Sequence, residues 1–116
     1  MAAPIGPYTP IVRAGDWLIC SGQLGAAQGV LAEGVGAQVR QAVSNVASLL
    51  ASEGATLEDV VKTSVFLADI EDYSLMNEAY VDALGGHRPA RSAFAVSALP
   101  TGALVEIEAW AFRKPK

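Results

Sequence analysis

The chain has 116 residues, the length of one domain with one core, so a second domain is not expected. Twelve acidic against eight basic residues leave a formal net charge of −4 and a pI near 4.8, which argues against a nucleic-acid partner. Hydrophobic residues make up 52% and charged residues only 17%, too few to cover so small a domain, and part of the surface is expected to be buried against further copies.

Ile11 to Arg13 and Trp17 to Ser21 flank Ala14-Gly15-Asp16, where Gly15 tolerates the positive φ of a tight turn, and the pattern predicts a hairpin. Glycines at 22, 25, 29, 34 and 36 predict a loop with little regular structure over residues 22 to 36. From about Gln38, the residues Val39, Val43, Val46, Leu49 and Leu50 recur at helical spacing, and Gly54 falls where a left-handed residue ends a helix. Thr56-Leu57-Glu58-Asp59 spaces a hydroxyl and an acid for a short capped turn that leads into Val60 and Val61. Lys62 to Ala68 is rich in β-branched and aromatic residues and predicts a strand, with N-cap candidates for a second helix at Asp69 to Asp72. Met76, Tyr80 and Leu84 mark the buried face of that helix, and Gly85-Gly86 ends it. Arg91 to Val96 and Val105 to Phe112 predict the last strands, on either side of Leu99-Pro100-Thr101-Gly102. The order ββαβαββ implies an α+β fold: one mixed sheet with both helices on one face and the other face covered in a homo-oligomer.

Period two places Glu106, Glu108, Trp110 and Phe112 on one face of the last strand and Val105, Ile107, Ala109 and Ala111 on the other. Two carboxylates about 7 Å apart along a strand are costly to bury without a cation or a proton. Arg91 is the candidate cation, and the pair is either structural or catalytic. One histidine, His87, and one cysteine, Cys20, are too few for a zinc site, so no metal is expected. His87 lies in a polar turn with no nucleophile elbow in the chain, and the glycines match neither a dinucleotide nor a P-loop pattern, so no cofactor is expected. Lys62 reads as a solvated strand residue and Cys20 as a buried small hydrophobe. No apolar run is long enough for a membrane span, Met1 to Pro10 has no signal-peptide pattern, and a lone cysteine closes no internal disulfide, so a cytoplasmic location is expected.

Five segments, taken together and in order, resemble one family: Ile5-Gly6-Pro7-Tyr8, Ser21-Gly22-Gln23, the run Lys62 to Asp69 continuing to Asn77-Glu78-Ala79-Tyr80, Pro89-Ala90-Arg91-Ser92, and Val105-Glu106-Ile107-Glu108-Ala109. The family is the reactive intermediate deaminases, also called RidA, YjgF or endoribonuclease L-PSP proteins, and the resemblance covers about Ile5 to Phe112. It implies a chorismate-mutase-like fold over the single domain 1–116, a homotrimer with a central β-barrel, and active sites in clefts between subunits. By motif, Arg91 corresponds to the arginine that grips a substrate carboxylate and Glu106 to the acid that positions water. Tyr8, Ser21 and Asn77 correspond to pocket residues. The deaminase branch usually carries Arg-Ser-Cys or Arg-Thr-Cys where this chain has Arg91-Ser92-Ala93, so only backbone groups of Ala93 remain to contact a ligand. The stretch from Asn77 to Arg91 is also shorter than in familiar members. The implied activity is cofactor-free hydrolysis of 2-imino acids to 2-keto acids and ammonia. A non-catalytic trimeric binder of 2-keto acids is the alternative, and an endoribonuclease or translation inhibitor fits the acidic composition less well.

Overall fold

The expected hairpin forms from β1 (Ile11–Ala14) and β2 (Trp17–Leu24), closed by a turn in which Gly15 takes φ 62°. The structure is a computed structural model describing residues 4–115; Met1–Ala3 and Lys116, the ends of the expected domain, lie outside the described residues. β3 (Ala26–Ala27), β4 (Val30–Leu31) and α1 (Val35–Ala51) follow, then β5 (Val60–Leu67), α2 (Tyr73–Ala83), β6 (Ala90–Ala95) and β7 (Val105–Phe112). Five strands make one sheet in the order β1-β2-β7-β5-β6. Only β5 and β6 run parallel, joined across α2, so the sheet is mixed as expected.

The glycine-rich segment is the main departure from expectation, because its glycines serve paired strands and close packing instead of a loop. β2 runs on to Leu24 through a register shift between Cys20 and Gln23 that contains Gly22. At Gly25 a Cβ would lie 2.3 Å from the Gln38 carbonyl oxygen, so only glycine lets this strand end meet α1. Gln28 and Gly29 both take positive φ, 53° and 79°, and form the two-residue turn that pairs β3 with β4. α1 then begins at Val35, ahead of the expected Gln38. Gln38 is buried instead, its amide donating to the Ala32 carbonyl at 2.9 Å and its oxygen accepting from the Leu104 backbone N–H at 2.8 Å. At the far end Gly54 takes φ 76°, and the N–H groups of Gly54 and Ala55 close on Ala51 and Leu50 as expected of a left-handed cap. β5 starts at Val60, two residues early, right after the turn in which Asp59 accepts from the Thr56 N–H at 2.9 Å.

Both helices lie on one face of the sheet. Val65, Leu67, Val105 and Ile107 meet Val39, Val43, Met76 and Tyr80 in one buried cluster, and Leu18, Cys20, Val60, Ala109 and Ala111 meet Val46, Leu49 and Leu50 in a second. Burying a side chain of this size contributes about 1.5–3 kcal/mol. On the opposite face Trp17, Phe94, Trp110 and Phe112 remain well exposed, in edge-to-face pairs Trp17–Phe112 at 5.0 Å and Phe66–Phe94 at 5.4 Å between centroids.

Candidate active site

Past Cys20, β2 has lost its β1 partner, and the N-terminal segment takes its place. The Ser21 N–H donates to the Pro10 carbonyl at 2.8 Å and its hydroxyl to the Thr9 carbonyl at 2.7 Å, which fixes Tyr8 beside the end of β2. On the neighbouring strand Glu106 points into the bulge at Gly22. A Cβ on Gly22 would sit 2.8 Å from the Glu106 carboxyl carbon, so the glycine makes the space that the carboxyl group uses. Tyr8, Gly22, Gln23, Leu24, Asn45 and Glu106 all line a cavity of about 500 Å³ that extends under the N-terminal segment to α1. The amide of Asn45 donates to the carbonyls of Leu24 and Ala26, at 3.1 and 2.9 Å, and holds that wall.

Burial, and secondly the charge of Glu108 on the same face, raise the Glu106 pKa above the ordinary carboxylate range. No cation offsets this among the described residues, where the ion pairs are Arg13–Glu53, Arg40–Asp82 and Arg113–Asp59. Arg91 is not the partner of Glu106 or Glu108 that its place in the sequence suggested. β5 lies between β6 and β7, and Arg91 is in register with the buried Thr63 on the helix side, whereas Glu106 and Glu108 face the other way.

Arg91 instead enters an aromatic setting beneath α2. One terminal nitrogen donates to the Tyr73 hydroxyl at 3.1 Å and the other approaches the Met76 sulfur at 3.7 Å. Its guanidinium carbon lies 4.9 Å from the Tyr80 ring centre and 5.7 Å from that of Tyr73. Asn77 follows Met76 on the same helix, and its side-chain oxygen is buried with no hydrogen-bond partner among the described residues. Ala93, two residues past Arg91, is half-buried against the core.

The candidate residues therefore fall into two groups on one chain. Tyr8, Ser21 and Glu106 stand together near the end of β2, while Asn77 lies on α2 and Arg91 and Ala93 on the strand beneath it. Gly22 and Tyr73 belong with them, Gly22 legible in the sequence only as part of a motif and a loop and Tyr73 not singled out. For Tyr73 the signal is its spacing of three and seven residues from Met76 and Tyr80, one face of a helix. Cys20 is buried, which pushes its thiol pKa up to about 11 and leaves it a small hydrophobe. His87 bonds the Val60 carbonyl at 2.8 Å, and Lys62 is half-buried and donates to the Ser92 hydroxyl at 3.2 Å, less solvated than its position suggested. No helix of the described residues is long and apolar enough to cross a membrane.

The sequence profile of the family described as endoribonuclease L-PSP matches residues 1–113. A 2-iminobutanoate/2-iminopropanoate deaminase of Bos taurus is 40% identical over 116 residues, covering 97% of this chain and 85% of the bovine one. The crystal structure of the YjgF gene product of E. coli superposes with a TM-score of 0.91 at 38% identity, over 97% of this chain and 92% of that one. E. coli TdcF with bound serine gives 0.91 at 33% identity, over 96% and 91%. The chain belongs to the endoribonuclease L-PSP family, the family of the YjgF and RidA proteins.

Proposed function

We propose that this protein is an imine deaminase that hydrolyses 2-imino acids to 2-keto acids and ammonia, in a cleft that a second copy of the chain completes. The observation that carries the reading is Glu106: a carboxyl group with a raised pKa and no cation partner among the described residues, facing a cavity of about 500 Å³. A carboxylate whose pKa is raised is a stronger acceptor for a proton from water than an ordinary one. The bovine relative, named for this reaction, supports the same class.

In this reading the planar Arg91 fork holds the substrate carboxylate through two hydrogen bonds. Glu106 accepts a proton from water as the oxygen adds to the imine carbon and passes it to the imine nitrogen, giving a tetrahedral aminoalcohol. Glu106 then takes the hydroxyl proton as the carbonyl forms and delivers it to the nitrogen, the carbon–nitrogen bond breaks, and ammonia and the 2-keto acid leave. Tyr8, Ser21 and Asn77 shape the cleft, and Ala93 offers its backbone groups. Water is the only co-reactant, so no metal or cofactor enters the scheme.

Arg91 and Glu106 lie on opposite faces of the sheet within one chain, so the proposed site pairs the Arg91 of one copy with the Glu106 of another. The exposed aromatic face supports a homotrimer in which three sheets close around a central barrel. A net charge of −4 gives RNA no electrostatic attraction, and a single reduced cysteine suits a cytoplasmic setting.

The test is turnover of imines generated in situ from several amino acids by an amino-acid oxidase. The wild-type protein should speed their decay, and Arg91→Ala should abolish that effect while the assembly persists. Arg91→Lys should rescue little, since an ammonium lacks the planar fork. Binding of 2-keto acids with no acceleration of imine decay by the wild type would make the protein a carboxylate binder instead.

A further inference from the structure

Arg91 makes no ion pair among the described residues, yet several groups restrain it at once. We propose that Tyr73 and Tyr80 are positioning residues that hold the Arg91 guanidinium in the orientation a substrate carboxylate requires, without neutralising its charge. The inference rests on the reading of Arg91 as the carboxylate-binding residue.

A flexible arginine pays rotamer entropy each time it binds an anion, and a fork already in place avoids much of that cost. An acidic neighbour would also fix the side chain, but it would compete with the substrate for the same N–H groups. The groups around Arg91 are neutral: the Tyr73 hydroxyl at 3.1 Å, the Met76 sulfur at 3.7 Å, and ring faces centred 4.9 and 5.7 Å away. A guanidinium has five N–H donors, and these contacts use two, so three remain for a carboxylate.

The cradle is itself anchored. Tyr80 is buried, and its hydroxyl shares a 2.7 Å hydrogen bond with Thr63, the residue paired with Arg91 across the parallel strands. The ring beneath the guanidinium is thus tied to the pair of strands that carries Arg91. Tyr73 opens the same helix and is 39% exposed, so it borders the side from which a ligand arrives. Because its oxygen accepts from Arg91, its own proton stays free to point outward.

Three variants separate these roles by steady-state imine turnover and by inhibition with 2-oxobutanoate. Tyr73→Phe keeps the ring and removes one hydrogen bond, so KM and the inhibition constant should rise together about threefold to tenfold, with kcat within about twofold. Tyr73→Leu also removes the ring and should raise both about thirtyfold. Tyr80→Phe keeps the ring beneath the guanidinium but removes its hydroxyl anchor to Thr63, so both constants should rise about threefold, less than in Tyr73→Leu. A merely structural role would lower kcat through lost folded protein and leave KM unmoved, and that result in Tyr73→Leu overturns the proposal. Unchanged KM in Tyr73→Phe and Tyr73→Leu, with turnover lost in Arg91→Ala, overturns the cradle while the carboxylate reading stands. Full turnover in Arg91→Ala removes the foundation of both.

Discussion

On the helix side of the sheet, Val65, Leu67, Val105 and Ile107 are fully covered by α1 and α2, whereas on the other side Trp17, Phe94, Trp110 and Phe112 are between 39% and 49% exposed. The strands alternate in the same way toward both sides, so the difference comes from what each side is packed against. One side is completed within the chain. The other carries four large exposed aromatics and, among the described residues, no element that covers them, as the proposed assembly would. The proposed chemistry is divided in the same way, with Glu106 on the uncovered side and Arg91 beneath the helices, so neither face holds a complete site.

A charge placed on the uncovered face should have the largest effect. Trp110→Glu sets a carboxylate among packed aromatics of the proposed trimer, and we expect loss of assembly and of imine turnover together, with the helix content of each chain retained. Light scattering and circular dichroism check this, and an active monomer would break the contrast between the faces. On the covered face, Leu67→Ala leaves a cavity under both helices and should cost about 3 kcal/mol in denaturant unfolding.

The two acids of β7 sharpen the comparison further. Glu106→Gln keeps shape and hydrogen bonding but removes the base, so single-turnover imine decay should slow about a hundredfold while binding of a 2-keto acid persists. Glu108→Gln should change that rate by no more than about threefold, since Glu108 acts on the site only through its charge. The smallest effect is on pH dependence. Burial and Glu108 raise the folded-state pKa of Glu106, so the folded chain holds this proton to higher pH than the unfolded chain does. The group therefore costs stability above its folded pKa and none below the ordinary carboxylate range. Wild type should lose stability relative to Glu106→Gln as pH rises through that window and match it below, as read from thermal melts of the two proteins.

Much of the fold was legible in the sequence because periodicity reports burial directly. The alternation in Val105 to Phe112 named both faces of β7, and Gly54 and Gly85-Gly86 marked the ends of the helices. The glycine-rich segment was not legible in the same way, because glycine gives one signal for a loop, a bulge and a close approach. Gly22 and Gly25 are explained by Glu106 and Gln38, residues far along the chain. Arg91 was misplaced for a related reason: consecutive strands are not always neighbours, and β5 separates β6 from β7. The members of the site came from motif resemblance, since spacing alone left Glu106 and Glu108 equivalent.

The central claim is that a working site joins the Arg91 of one copy to the Glu106 of another, and mixing two inactive variants tests it most directly. Arg91→Ala and Glu106→Gln proteins, unfolded together in equal amounts and refolded, should assemble at random into mixed trimers. About a quarter of the clefts would then pair an intact Arg91 with an intact Glu106. Imine turnover should return to about a quarter of the wild-type value, although each variant refolded alone remains inactive. Mixed trimers that form and show no turnover would contradict the account, because they would mean that both groups must come from the same chain.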